Sequence, residues 1–107
     1  MEHFNRPHYD LDELKALVAD PTTRVITGKA RKNAFDVLGL VTDDEIVEIV
    51  LSIKKSDIYK TMTTHFDPKL WQDVYTPEVD GKILYIKLQK NFDSKGVVIQ
   101  FKTSGDD

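Results

Sequence analysis

The spacing of apolar residues changes near Asp57, and this change constrains the fold more than any other feature of the chain. Before Asp57, apolar side chains recur every three or four positions, which is the period of an amphipathic helix. After it, apolar and polar residues alternate in short runs rich in threonine, aromatic and β-branched residues, as strands do. Helices followed by strands, rather than alternating with them, favour an α+β fold.

The first and third predicted helices each begin with a capping box, in which two side chains bond free backbone N–H groups of the first turn. The pairs are Asp10 with Glu13 and Thr42 with Glu45. Pro21 ends the first helix. The residues expected to face the core are Leu11, Leu14, Leu17 and Val18 in the first helix and Ile46, Ile49, Val50 and Ile53 in the third.

A second helix is predicted from Gly28, after the capping residue Thr27, to a stop at Gly39. The dipeptide Asp80-Gly81 is a strong signal for a tight hairpin turn, so the strands around it pair antiparallel. Another turn at residues 91–96 continues the meander. The predicted strands comprise residues 24–26, 58–64, 71–79, 82–91 and 96–102.

Alternation in the last two strands predicts which side chains face away from the helices. In one strand these are Ile83, Tyr85, Lys87 and Gln89, and in the other they are Val98, Gln100 and Lys102, with Val97, Ile99 and Phe101 facing the helices. Tyr85 and Lys102 would then share an outward face. Such a face can stack an RNA base and neutralise a phosphate, or it can simply be the solvent side of a half-buried sheet.

Length and composition predict one domain over residues 1–107, without a disulfide framework, because cysteine is absent. No apolar run resembles a secretory signal or a membrane span, so we expect a cytoplasmic protein. The net charge of −3 argues weakly against a nucleic-acid partner. However, residues 52–107 hold nine lysines and eight acidic residues, so the second half is the better surface for a polyanion.

Two motifs carry a resemblance to a known family. Residues 56–64 read SDIYKTMTT, and residues 71–75 read WQDVY after a short loop. The pattern continues with VDGKILYIK at residues 79–87 and VIQFK at residues 98–102. This arrangement resembles the signature of the MqsR family of toxins, closely over residues 56–102 and more loosely over the helices. Thr76 and His65 depart from it, standing where relatives have a basic and an aromatic residue.

The resemblance implies a RelE-like fold, with N-terminal helices packed on one face of a mainly antiparallel C-terminal sheet. It implies a toxin of a type II toxin–antitoxin system that cleaves mRNA at short GC-containing sites, without the ribosome, a metal or another cofactor. The implied partner is an MqsA-like antitoxin, a zinc-binding and DNA-binding dimer. DNA would be reached only through that antitoxin, and no membrane is involved.

The resemblance also implies the residues of the site. It assigns catalytic roles to Lys60, Gln72, Tyr85 and Lys102, and substrate-binding roles to their neighbours Tyr59 and Met62. In metal-free cleavage the 2′-hydroxyl of RNA is the nucleophile, so the site must stabilise charge and transfer protons. Lysines suit the charge stabilisation, whereas a lysine acts as a base only if its pKa is lowered. The general base is therefore left open.

Other interpretations remain at this stage. The chain could be an inactive relative that only binds RNA or antitoxin, or a purely structural domain. His65 lies beside the signature and could be a base, whereas His3 and His8 fall in a terminal segment that we expect to fray. Asp43, Asp44 and Glu45 fit a helix cap better than a cation site. Residues 27–29 lack the first glycine of a phosphate-binding loop.

Overall fold

The computed structural model describes residues 1–104, which form three α-helices, one 3-10 turn (Lys55–Asp57) and seven strands. The α+β class with N-terminal helices is confirmed. The predicted single domain extends to residue 107, outside the described residues, and stays a prediction. In chain order the elements are β1 (Glu2–Phe4), α1 (Leu11–Ala19), β2 (Arg24–Ile26), α2 (Gly28–Leu38), α3 (Asp43–Ser52), β3 (Ile58–Thr63), β4 (Trp71–Tyr75), β5 (Glu78–Val79), β6 (Lys82–Lys90) and β7 (Gly96–Thr103).

The strands form one sheet in the order β1-β3-β4-β6-β7-β2, and β5 pairs with β6 beside this path. All pairs are antiparallel except β2 with β7. The helices cover one face of the sheet, which we call the proximal face. The core between them includes Leu14 and Val18 of α1, Ala30 and Ala34 of α2, Ile46 and Val50 of α3, and Leu84, Ile86, Leu88 and Phe101 of the sheet.

The helix boundaries follow the predicted caps. Asp10 accepts hydrogen bonds from the backbone of Asp12 and Glu13, but Glu13 pairs with Lys90 at 2.7 Å instead of closing the capping box. The box of Thr42 and Glu45 is complete. Gly39 ends α2 with a φ of 68°, a left-handed conformation that glycine adopts without steric cost.

The predicted hairpin turn is confirmed, but the strand before it is interrupted. Asp80 and Gly81 have φ values of 53° and 76°, which suit the tight turn between β5 and β6. The expected strand over residues 71–79 is divided into β4 and β5 around Pro77, which has no N–H to donate to a ladder. β4, β6 and β7 form the expected meander.

The predicted facing of β7 is wrong over its first half because of a β-bulge. Lys87 lies opposite Gln100 and Leu88 opposite Val98, so Ile99 is an extra residue in the ladder. Val98 therefore turns into the core, whereas Val97 lies opposite Gln89 on the other face. Beyond the bulge the prediction is confirmed, with Phe101 in the core and Lys102 opposite Tyr85.

The expectation that the N-terminal segment frays is also wrong. β1 pairs antiparallel with β3, and backbone hydrogen bonds from Thr63 to Met1 and from Asn5 to Tyr59 extend the ladder at both ends. The segment after β1 is held by a side chain of the sheet. The fully buried carboxylate of Asp73 accepts hydrogen bonds of 2.9–3.1 Å from the backbone N–H groups of His8 and Tyr9.

Candidate active site on the distal sheet face

The face opposite the helices, which we call the distal face, carries most of the polar side chains of the sheet. Cross-strand register aligns Lys60 with Val74, Val74 with Lys87, and Lys87 with Gln100. Val74 is fully buried on this face, and the neighbouring lysines have long apolar stems of the kind that cover apolar surface. The polar or flexible residues of this face are Lys60, Met62, Gln72, Tyr85, Lys87, Gln89, Gln100 and Lys102.

Three lysines surround the ring of Tyr85. The ammonium of Lys102 lies 4.9 Å from the ring centre and that of Lys87 lies 5.9 Å from it. Lys60 is close enough for Tyr85 to contribute to its raised pKa. The strands thus bring together three of the four predicted catalytic residues. Clustered ammonium groups around a phenol suit a phosphodiester, because lysines neutralise its charge and a phenol hydroxyl can donate a hydrogen bond to it.

Tyr59 joins this group through a second β-bulge. Ile58 lies opposite Tyr75 and Lys60 opposite Val74, so Tyr59 is the extra residue in β3. Its ring lies 5.6 Å from the ammonium of Lys60 and contacts Phe4 edge-on. Tyr59 is 40% exposed, as a base-stacking residue requires.

Lys60 is held as a cation. Its ammonium lies 2.7 Å from Oε1 of Glu2, and this hydrogen bond raises the pKa of Lys60 despite partial burial. The same contact lowers the pKa of Glu2. A lysine with a raised pKa cannot serve as a general base at neutral pH, so Lys60 is suited to charge stabilisation.

Gln72 lies in the next cross-strand row, apart from the lysines. It pairs with Met62 on β3, and its amide donates a 2.9 Å hydrogen bond to Oε1 of Gln89. Gln89 in turn donates to Asn91. This fixed row of amides suits substrate alignment rather than proton transfer.

Lys87 also belongs to the lysine group around Tyr85, although the family resemblance does not assign it a role. Burial, followed by the charges of Lys60, Lys102 and Lys29, lowers the pKa of Lys87. Alternation along β6 places Lys87 on the same face as Tyr85. That alternation is the sequence signal from which Lys87 could have been predicted as a site residue.

Replacing Lys87 with methionine is expected to stabilise the fold and weaken RNA binding. Folding lowers the pKa of Lys87, which means that the folded state disfavours its positive charge. Between the folded and the unfolded pKa the unfolded chain binds more protons, so the free energy of unfolding rises with pH in that range. At neutral pH Lys87 is charged in both states, so the cost of its buried charge is fully present. Removing that charge should raise the free energy of unfolding by roughly 0.5 kcal/mol, a value reduced for solvent screening. The slope of log affinity for RNA against log salt concentration should become shallower by about 0.7.

Thermal unfolding and RNA titrations at several salt concentrations measure both effects. The exposed loop residue Lys69, replaced in the same way, is the matched control and should change neither quantity. Unchanged RNA affinity in Lys87→Met would remove Lys87 from the RNA surface.

The histidines lie away from the lysine group. His3 alternates with Glu2 and Phe4 and so faces the other side of the sheet, where its ring and that of His8 stack on Trp71 at 5.8 and 5.1 Å. His65 is exposed in the loop between β3 and β4. Asp43, predicted as a capping residue, also binds Arg31 through two hydrogen bonds. Within residues 1–104, no three histidine or acidic side chains cluster as metal ligands.

Comparison with known proteins identifies the family of this chain. The sequence profile of the family described as "Motility quorum-sensing regulator, toxin of MqsA" matches residues 6–103. The chain belongs to the MqsR toxin family. It is 36% identical over 96 residues to the mRNA interferase toxin MqsR of Escherichia coli (strain K12), which covers 90% of this chain and 93% of that protein. The lysine group around Tyr85 and the row of Gln72 both lie inside the segment that matches the MqsR family, whereas β1 lies before it.

Proposed function

We propose that this chain is the toxin of a toxin–antitoxin pair and an endoribonuclease that cleaves mRNA. Membership of the MqsR family supports this class of activity. The observation that supports a site is the convergence of Lys60, Lys87 and Lys102 on Tyr85, on the sheet face opposite the helices of residues 1–104. Cleavage proceeds without the ribosome or a metal ion, at short GC-containing sites in the cytoplasm.

Each site residue has a role that follows from its chemistry. The phosphodiester lies across the lysine group, where Lys60 and Lys102 neutralise the charge that develops as the 2′-oxygen attacks phosphorus. Tyr85 orients the phosphate and offers a proton to the leaving 5′-oxygen. Gln72 aligns the strand, and Tyr59 and Met62 contact the neighbouring base. Lysine and tyrosine titrate far from pH 7, so turnover is modest and depends on positioning.

The antitoxin partner is an MqsA-like dimer that binds zinc and operator DNA. Any zinc belongs to that partner, and DNA is reached only through it. The edges of the sheet, at β1 and β2, are where an antitoxin strand could be added. The helices within residues 1–104 do not reach the length and hydropathy that a bilayer span needs.

Cleavage of a defined RNA by the purified chain in excess chelator tests this function. We expect unchanged rates with chelator, products that end in a 2′,3′-cyclic phosphate and a 5′-hydroxyl, and no cleavage where the attacking 2′-hydroxyl is methylated. A requirement for a divalent cation, or products with 5′-phosphates, would contradict the mechanism. RNA binding without any cleavage would instead identify a catalytically inactive, RNA- or antitoxin-binding relative.

A further inference from the structure

The N-terminal strand brings a carboxylate into the candidate active site. β1 pairs with β3 so that Phe4 lies opposite Lys60 and Glu2 opposite Met62, which directs both β1 side chains to the distal face. Oε1 of Glu2 lies 2.7 Å from the ammonium of Lys60. Among residues 1–104, this is the one ion pair that includes a lysine of the distal face. The family match begins at Arg6, so the carboxylate comes from a segment outside it.

The proposed reaction needs a base beside the lysine group, and the lysines and amides that form this group do not offer a carboxylate. Lys60 is held as a cation, and the amides of Gln72 and Gln89 do not accept a proton near neutral pH. Burial and the charges of Lys60 and Lys102 lower the pKa of Lys87, although the ordinary pKa of a lysine lies far above neutral pH. The rings of His3 and His8 stack on Trp71 on the other side of the sheet. A carboxylate, by contrast, is fully ionised at neutral pH.

We infer that Glu2 is the general base that deprotonates the 2′-hydroxyl, an inference that rests on the proposed endoribonuclease function. The proton passes from the 2′-oxygen to the Glu2 carboxylate as that oxygen forms a bond to phosphorus. The bond from phosphorus to the 5′-oxygen breaks, and this oxygen takes a proton from Tyr85 or a lysine ammonium. The cyclic phosphate and the 5′-hydroxyl depart, and solvent returns both residues to their starting protonation states.

The pairing with Lys60 puts the carboxylate where the nucleophile must lie. A phosphate oxygen bound to Lys60 brings the 2′-hydroxyl of the adjoining ribose close to Glu2, and proton transfer requires about 2.6–3.2 Å between heavy atoms. The substrate also competes for Lys60. As the phosphate takes over that contact, the effect that lowers the pKa of Glu2 weakens, and the carboxylate becomes a stronger base in the complex than in the free protein.

Three variants of the full chain, without an N-terminal extension, test this role in single-turnover cleavage of a defined RNA. Glu2→Gln keeps the size and removes the proton acceptor, and Glu2→Asp keeps the carboxylate but shortens its reach. Glu13→Gln is the matched control, because Glu13 forms an equally short ion pair with Lys90 away from this face. We expect Glu2→Gln to lose about 10²- to 10⁴-fold in rate, Glu2→Asp to recover part of it, and Glu13→Gln to match wild type.

Two further readouts separate a base from a structural contact. Binding of a 2′-O-methylated RNA should be at least as tight in Glu2→Gln as in wild type, since a negative charge is removed. The kcat/KM of wild type should fall in acid as Glu2 is protonated, through a pKa that the contact with Lys60 holds below the ordinary glutamate value. This acid limb should be absent in Glu2→Gln.

Cleavage by Glu2→Gln at the wild-type rate or faster would overturn the inference. Glu2 would then only shield the charge of Lys60 without accepting a proton from the substrate. Such a result leaves the proposed function intact if wild type still releases cyclic phosphate ends and Lys60→Ala is inactive. Failure of wild type itself to give those ends would instead overturn the proposed function.

Discussion

Replacing Lys60 with alanine should lower the rate of RNA cleavage by about 10²- to 10³-fold while the protein remains folded. That is the usual loss when one preorganised group that stabilises transition-state charge is removed. The side chain of Lys60 is only 15% exposed, so solvent cannot fully replace its charge. Single-turnover kinetics on a defined RNA measure the loss, and circular dichroism with thermal unfolding verifies the fold.

Two other substitutions separate charge from packing at this position. Lys60→Met keeps the stem beside Val74 and should lose as much activity as Lys60→Ala. Lys54→Ala alters an exposed lysine beyond α3 and should leave cleavage unchanged. Wild-type cleavage by a folded Lys60→Ala variant would remove Lys60 from the mechanism.

Replacing Asp73 with alanine is expected to lower the free energy of unfolding by about 3 kcal/mol. Asp73 is fully buried, and its carboxylate accepts hydrogen bonds from the N–H groups of His8 and Tyr9. Loss of the carboxylate leaves two part-buried donors without an acceptor, at about 1–3 kcal/mol each. The segment between β1 and α1 would then lose its anchor on the sheet.

Urea or thermal unfolding measures this effect, and the midpoint should fall by more than 10 °C, at about 4–8 °C per kcal/mol. Asp36→Ala is the control, because Asp36 forms an exposed ion pair with Lys32 and should contribute less than 0.5 kcal/mol. A stability loss in Asp73→Ala no larger than in Asp36→Ala would show that the buried hydrogen bonds contribute little.

Local signals in the sequence predict the helices and the hairpin turn well. Thr42 with Glu45, and Asp80 with Gly81, act on backbone groups a few residues away, so their effect is visible in a short window. Alternation along β6 and β7 likewise predicts that Tyr85 and Lys102 share a face. These features need no knowledge of the tertiary structure.

The bulges and β1 escape such reasoning because they depend on distant partners. The residues next to Ile99 and Tyr59 do not mark them as bulges, and only pairing with the neighbouring strand makes each an extra residue. β1 has three exposed residues without apolar periodicity, and its strand conformation exists through β3. The contact of Glu2 with Lys60 was therefore invisible in the sequence.

β1 also has a consequence for the order in which the molecule assembles and opens. The pairing of β1 brings together Glu2 and Lys60, which are 58 positions apart in the chain. The entropic cost of closing this loop must be met before the contact can stabilise the fold. A short exposed edge strand with such a contact belongs to the least protected part of a fold, which opens locally at low free energy. Although β1 is paired in the folded state, we therefore expect the contact of Glu2 with Lys60 to form late in folding and to open on heating before the helices leave the sheet.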